Sequence, residues 1–133
     1  MSEENVETVR AIYDEWGRGN LRAGLARYDP QVLFIPYEGR PDGKDHYLGV
    51  KGVGEFMRSW LSEWTDFSIT AEELTEAGDS VVVAQCQRAV GRMSGAPTEL
   101  RFFAVWTFRG RTVIRIEHFR EQAEALEAAG LSE

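Results

Sequence analysis

His118 is the residue of this chain whose side chain is best suited to proton transfer. An imidazole has an unperturbed pKa near neutrality, so it can accept or donate a proton at physiological pH. The adjacent Glu117 cannot assist it, because successive residues of a strand point to opposite faces. A partner must therefore come from elsewhere, and Tyr37, Glu38 and Glu121 are the candidates. The alternative is a core histidine whose ring is satisfied by a neighbouring side chain or backbone group.

Three further polar residues could contact a ligand. Arg120 could pair with a substrate carboxylate or enolate, or with a surface acid. Gln85 and Gln87 are two residues apart, so in a strand they share one face. In one register they could orient a ligand, and in the other they would face solvent or a partner subunit.

Metal binding and phosphate binding have weaker support in the sequence. His46 lies near Asp42 and Asp45, but its distance in sequence from His118 is no recognised ligand spacing, and a solvated loop is the better interpretation. The glycines around Lys51 do not form a phosphate-binding loop. We therefore expect no metal and no cofactor.

Composition limits the class of protein. The 133 residues, 43% hydrophobic and 28% charged, fit one globular domain. A net charge of −7 argues against nucleic acid or an anionic membrane surface as a partner. The longest apolar run, Phe102–Trp106, is far too short to span a membrane. The N-terminus does not resemble a signal peptide, and the lone Cys86, expected to be a small buried hydrophobe, excludes an internal disulfide. We expect a soluble, cytoplasmic protein.

The first half of the chain has the hydrophobic spacing of amphipathic helices. One stripe consists of Val6, Val9, Ile12, Tyr13 and Trp16. A later stripe consists of Val53, Phe56, Met57, Trp60, Leu61 and Trp64. Between them, Asn20 is expected to cap a short helix that ends at Asp29-Pro30. A strand at 32–35 and a long loop over 37–49, typical of a binding lid, are expected to follow.

From Phe67 onward the hydrophobic period becomes two. This pattern predicts strands at about 67–76, 80–91, 98–108 and 112–120, and their short connections predict an antiparallel meander. Residues 121–129 predict a closing helix that Gly130 ends. Helices followed by strands indicate the α+β class, with helices packed on one face of a curved antiparallel sheet.

Three parts of the chain carry family-like patterns: Tyr13–Leu21 with Tyr28–Val32, Tyr47–Val53, and Arg115–Phe119 with Glu124–Leu131. Together with the order of elements, they resemble the SnoaL-like branch of the NTF2-like superfamily over nearly the whole chain. This branch includes polyketide cyclases, ketosteroid isomerases and limonene epoxide hydrolases.

The resemblance implies a single α+β cone over residues 1–133 that forms a homodimer and holds a small, largely apolar oxygenated molecule. N-terminal helices would cover the concave face of the sheet. In the register of ketosteroid isomerase, that face carries Leu100, Phe102, Ala104, Trp106, Phe108, Ile114, Ile116, His118 and Arg120. The residues expected to contact the ligand are Tyr13, Trp16, Phe34, Tyr37, Trp60, Gln85, Gln87, Phe102, Trp106, Ile116 and Arg120. For Trp16 and Trp60, simple core packing is the alternative.

The reactions of known relatives do not transfer to these residues. The base and the two hydrogen-bond donors of ketosteroid isomerase fall on Ile35, Ile12 and Ala104, none of which can move a proton. The acid that cyclases and limonene epoxide hydrolase hold near the end of the last strand falls on Arg120. Glu121 could replace it only if the strand ends or bulges there.

The leading hypothesis is a cofactor-free protein that binds a small molecule and, if catalytic, transfers protons as an isomerase, cyclase or hydrolase with His118 and Glu121. A non-catalytic carrier or sensor is the second hypothesis, favoured by the missing family acids. The third is an interaction module that binds a partner through the outward side chains of Arg115, Glu117 and Phe119.

Overall fold

The computed structural model describes residues 2–37 and 45–131, without the side chain of Ser2. Within them the helices are α1 (Ser2–Gly17), α2 (Gly49–Leu61) and α3 (Gln122–Ala128). The strands are β1 (Tyr28–Ile35), β2 (Tyr47–Leu48), β3 (Trp64–Ala77), β4 (Ser80–Gly91), β5 (Pro97–Arg109) and β6 (Thr112–Phe119). Each helix in this part of the chain is too short or too polar to cross a lipid bilayer.

The strands form one sheet in the order β2-β1-β6-β5-β4-β3. Strands β3 to β6 form the predicted antiparallel meander. Strand β1 runs parallel to β6, so the sheet is mixed rather than wholly antiparallel. A short hairpin can join only antiparallel strands. Because most of the chain lies between β1 and β6, these two strands can pair in parallel.

Helices α1 and α2 pack on one face of the sheet, called the concave face below. The predicted stripe of α1 buries Val9, Ile12 and Tyr13, and α2 buries Val53 and Phe56. The sheet residues of the same core cluster include Val81, Val83, Ala104, Trp106, Phe108, Val113 and Ile116. Burial of one such large side chain contributes about 1.5–3 kcal/mol to folding, so this interface is the main source of stability.

The helix predicted after Asn20 is wrong. Turns lead instead to a single 3-10 turn at Leu25–Arg27. Gly24 has φ of 97°, a left-handed conformation through which a regular helix cannot pass. Tyr28 therefore begins β1, and Asp29-Pro30 continues that strand rather than ending a helix.

The predicted loop over 37–49 also differs in part. Tyr47 and Leu48 pair with β1 as strand β2, and Gly49 is already the first residue of α2. Residues 38–44, which include Glu38 and Asp42, lie outside the described residues. At the end of α2, Trp64 begins β3 instead of completing the helical stripe.

The closing helix α3 packs on the opposite, convex face. Ala125 is fully buried there in a second apolar cluster with Val82 and Val105. Gly130, with φ of 86°, follows the helix as predicted. Phe119 packs against this cluster and is half-buried, so it is only partly available to the partner surface that was expected to include it.

Candidate functional site

A cavity of about 50 Å³ lies between the concave face, α1 and α2. Its wall consists of Tyr13, Trp16, Leu21, Phe34, Phe56, Met57, Trp60, Phe67, Ile69, Gln85, Gln87, Trp106, Ile116 and His118. This volume accommodates a few water molecules or a compound of a few heavy atoms, since one water needs about 10–15 Å³. Pockets that enclose drug-sized ligands measure roughly 300–1,000 Å³. The side chains of the cone therefore fill much of the space that a larger ligand would occupy.

The ring of His118 lies in the cavity wall near the end of β6. Its Nδ1 atom is 3.0 Å from the backbone carbonyl oxygen of Ile35. A carbonyl oxygen only accepts hydrogen bonds, so Nδ1 carries the proton and Nε2 of the neutral ring keeps its lone pair. Burial lowers the pKa of His118, although the hydrogen bond to Ile35 and the charge of Glu117 oppose this shift. At neutral pH His118 is an uncharged base in a fixed orientation.

The partner of His118 is thus a backbone group. Neither Tyr37 nor Glu121 bonds to the ring, and Glu38 lies outside the described residues. The core-histidine interpretation holds for Nδ1, whereas Nε2 has no hydrogen-bond partner among residues 2–37 and 45–131. The ring of Phe34 lies 5.0 Å from the imidazole and supplies an apolar neighbour.

Gln85 belongs to a buried chain of hydrogen bonds. The indole Nε1 of Trp106 donates to the Tyr13 hydroxyl over 3.2 Å, and that hydroxyl donates to Oε1 of Gln85 over 2.5 Å. The hydroxyl proton of Tyr13 is therefore engaged in the hydrogen bond to Gln85. Tyr13 is 3% exposed. Burial raises the pKa of Tyr13, so the phenol stays protonated. Tyr13, expected to contact a ligand, lines the cavity and also orients Gln85.

Gln87 lies two residues further along β4 and also lines the cavity. Its Oε1 atom accepts a hydrogen bond of 2.9 Å from the indole Nε1 of Trp60. An indole nitrogen can only donate, so the atom that faces Trp60 must be the oxygen of the amide. The NH₂ group of Gln87 is therefore the end that remains for a ligand.

The aromatic residues predicted for the cavity are both its wall and its core packing. Trp16 donates its Nε1 proton to the Ala23 carbonyl over 3.1 Å, and its ring centroid lies 5.9 Å from that of Trp106. Phe34 and Phe56 have ring centroids 4.7 Å apart. Ile116 is 1% exposed and completes the wall on β6. The two interpretations of Trp16 and Trp60 therefore do not exclude each other.

Tyr37, Phe102 and Arg120 form a stack beside the cavity rather than in its wall. The rings of Tyr37 and Phe102 are 4.6 Å apart and nearly parallel, and Cζ of Arg120 lies 5.3 Å from the centre of the Tyr37 ring. Arg120 is exposed, because β6 ends at Phe119 and the chain has left the sheet. The expectation that Arg120 points into the cavity is wrong.

Two other expectations on β6 and its end need correction. Glu121 is exposed and immediately precedes α3, so the structure does not bring its carboxylate to the cavity. The pairing of β5 and β6 shifts between Thr107 and Phe108. Because of this bulge, Val113 is fully buried in the core in place of Ile114.

No group of three or more His, Cys, Asp or Glu side chains that could hold a metal occurs in the described residues. His46 and Asp45 are exposed in a surface groove beside α2. The positions matched to ketosteroid isomerase, Ile12 and Ala104, are buried in the apolar core. Within the described part of the cavity wall, chemistry must therefore come from one imidazole and two carboxamides.

The network of Tyr13, Gln85 and Trp106 was not predicted. Its members are far apart in sequence, and only the fold brings them together. The signal that could have suggested it is a polar residue alternating with small apolar ones in a buried strand, since such a residue needs a partner.

Comparisons with known proteins agree with this fold. The SnoaL-like domain family matches residues 9–116. An NTF2-like protein of unknown function from Burkholderia pseudomallei K96243 is 25% identical in sequence, with a TM-score of 0.76 over 92% of this chain and 95% of its own. TerC, co-crystallized with polyporic acid, is 23% identical, with a TM-score of 0.75 over 95% and 98% of the two chains.

A candidate SnoaL-like polyketide cyclase from Jannaschia sp. CCS1 is 20% identical and has a TM-score of 0.75, over 99% of this chain and 95% of its own. No curated protein sequence matches the chain. The structural similarity confirms the predicted NTF2-like α+β fold.

Proposed function

The chain belongs to the SnoaL-like domain family, and we propose that it binds a small, largely apolar oxygenated molecule and transfers a proton with His118 as the base. The observation that carries this proposal is the state of the imidazole. Its Nδ1–H is held by the Ile35 carbonyl, which leaves the Nε2 lone pair as the reactive group.

The electrostatics favour a base rather than an acid. Because burial lowers the pKa of His118, the neutral form predominates at neutral pH, and a proton taken from a substrate is readily returned. Phe34, Ile116 and Trp106 belong to the same wall and give the ring largely apolar surroundings. No cofactor takes part in this scheme.

The volume of the cavity limits the substrate. About 50 Å³ suits a compound of a few heavy atoms, whereas a polycyclic compound would have to displace wall residues. Met57 on α2 is one such wall residue and is only partly buried. Small ketones are therefore the first probes.

Exchange of the α-protons of butanone and cyclopentanone in D₂O at neutral pD, followed by proton NMR, tests the proposal. The wild-type protein should accelerate exchange, and His118→Gln should lose this acceleration by about 10²–10⁴-fold. Glutamine can still donate to the Ile35 carbonyl but cannot take up a proton. The matched control is His46→Gln, an exposed site outside the cavity, which should keep the activity. Equal exchange by wild type and His118→Gln would rule out His118 as the base.

A non-catalytic carrier is the second candidate function. It is favoured because the described cavity wall contains no carboxylate, the group that the family's cyclases and epoxide hydrolases use. For a carrier, cyclopentanone would quench the fluorescence of Trp16, Trp60 and Trp106 on binding and be recovered without deuterium.

The expected homodimer and the interaction module remain proposals. On the convex face, Arg115 and Glu117 pair with each other over 2.7 Å, and Phe119 is partly covered by α3. Size-exclusion chromatography with light scattering separates monomer from dimer. A monomer would remove the support for a self-association surface.

A further inference from the structure

We infer that Gln85 and Gln87 form a paired donor site for the oxygen of a neutral carbonyl compound. This inference rests on the proposed function and names its substrate class: a ketone or β-dicarbonyl compound with an acidic C–H beside the carbonyl.

The first step is the burial of both side chains. Gln85 is 2% exposed and Gln87 is 9% exposed, and both line the same cavity. Burying a carboxamide costs free energy unless its polar atoms are hydrogen-bonded. Two such residues on one strand, spaced to share a face, thus require an explanation beyond core packing.

The second step is the orientation of the amides. Tyr13 and Trp60 each donate a proton to the Oε1 atom of one glutamine. Both partners are donors in these contacts, so the oxygen of each amide is engaged. The NH₂ group of each glutamine therefore remains for a ligand. Among residues 2–37 and 45–131, the structure gives neither NH₂ group a hydrogen-bond partner. Within the described residues, the two NH₂ groups are therefore N–H donors that a ligand can use.

The third step is the position of the base. His118 pairs with Ala104 on β5, which pairs with Val83 on β4, two residues from Gln85. Two strand spacings and two residues along the strand place the Cα atoms of His118 and Gln85 roughly 12 Å apart. Both side chains line the same cavity, so the base and the donors can act on one bound molecule.

The reaction that fits this arrangement uses the glutamine amides as hydrogen-bond donors and His118 as the base. Nε2 of His118 would take the α-proton, the C–H electron pair would form the C=C bond, and the carbonyl π electrons would move to the oxygen. The resulting enolate oxygen would accept from the glutamine N–H groups, and return of the proton to carbon would complete the cycle. A carboxylate ligand is disfavoured, because the described wall offers it no cation.

The test measures binding separately from turnover. Cyclopentanone and methylenecyclopentane have the same shape, but only the ketone can accept a hydrogen bond. Each is titrated into ¹⁵N-labelled protein while the side-chain amide signals of the four glutamines are followed. The ketone should bind roughly tenfold more tightly and should move the signals of Gln85 and Gln87. The exposed Gln31 and Gln122 serve as internal controls.

Two variants remove the donors in different ways. Gln87→Met should reduce the affinity for the ketone to that for the hydrocarbon. Because methionine also removes the acceptor of Trp60, a second variant, Gln87→Glu, keeps an oxygen for that indole and is studied at a pH at which it is ionised. It should also lose the preference for the ketone.

The outcomes separate this inference from the proposed function. If His118→Gln stops exchange while the amide signals of Gln85 and Gln87 do not move, the donor site is wrong and the base assignment stands. If those signals move but exchange does not depend on His118, the donor site stands and the proton-transfer function is wrong. Equal affinity for the two probes overturns the inference.

Discussion

On the concave face of the sheet, Gln85 and Gln87 are buried, His118 is half-buried, and the side chain of each has one hydrogen-bond partner among the described residues, whereas the convex face exposes charged side chains that pair with one another. On the convex face, Arg101 pairs with Glu72 and Glu99, and Arg88 also pairs with Glu99. These four side chains surround Cys86, which is 1% exposed and whose pKa is raised by burial.

The difference lies in what replaces a lost partner. On the convex face water solvates a charge whose partner has been removed, so an exposed ion pair contributes little. On the concave face water can enter only a small cavity with largely apolar walls, so the remaining atom is poorly solvated. Single substitutions should therefore have very different effects on the two faces, although both contain several hydrogen bonds.

The largest effect on stability is expected for Tyr13→Phe. Removal of the hydroxyl leaves Oε1 of Gln85 and Nε1 of Trp106 without their partner, and an unsatisfied buried group costs about 1–3 kcal/mol. Urea unfolding followed by circular dichroism measures the loss. The matched control is Tyr37→Phe, since the described contacts of Tyr37 are made by its ring. Equal stability of the two variants would contradict the view that the concave network is structurally important.

A second, smaller effect concerns pH. The folded state holds the pKa of His118 below its ordinary value of 6.5, so the unfolded chain binds more protons as the pH falls through 6.5. Stability that is fully present above pH 6.5 should decline toward the lowered pKa. Urea midpoints from pH 7.5 to 5.5 measure this decline. His118→Gln should flatten it, and an unchanged slope in that variant would show that His118 is not the group responsible.

The fold was largely predictable because its signals are local. In β4, β5 and β6 the hydrophobic period of two is bounded by short glycine-containing turns, and the observed strands lie within a few residues of the predicted ones. The segment before β1 was not predictable in this way. Asp29-Pro30 is typical of a helix end, but the left-handed backbone at Gly24 had already ended the helical conformation.

The site was less predictable because it depends on side-chain volume and on which residues of each strand face the cavity. Alternation placed Gln85, Gln87 and Trp106 on one face, but spacing alone does not tell how far Trp16 and Trp60 fill the space above them. One bulge in β6 was enough to bury Val113 in place of Ile114. Strand β6 ends at Phe119, and Arg120 and Glu121 therefore lie outside the cavity.

The smallest effect is expected on the convex face, at Arg101. Arg101→Ala removes the ion pairs with Glu72 and Glu99, but these groups are exposed to water and the loss should be smaller than for Tyr13→Phe. Added salt should reduce it further, because salt screens exposed charges. Arg101→Met removes the charge but keeps a long apolar side chain near Cys86. It therefore separates the loss of the charge from the loss of the side chain that shields the Cys86 thiol. Thiol labelling should be faster in Arg101→Ala than in Arg101→Met, whereas their urea midpoints should be similar. A destabilisation as large as that of Tyr13→Phe would mean that the convex charges form a network as important as the concave one, and the contrast between the two faces would fail.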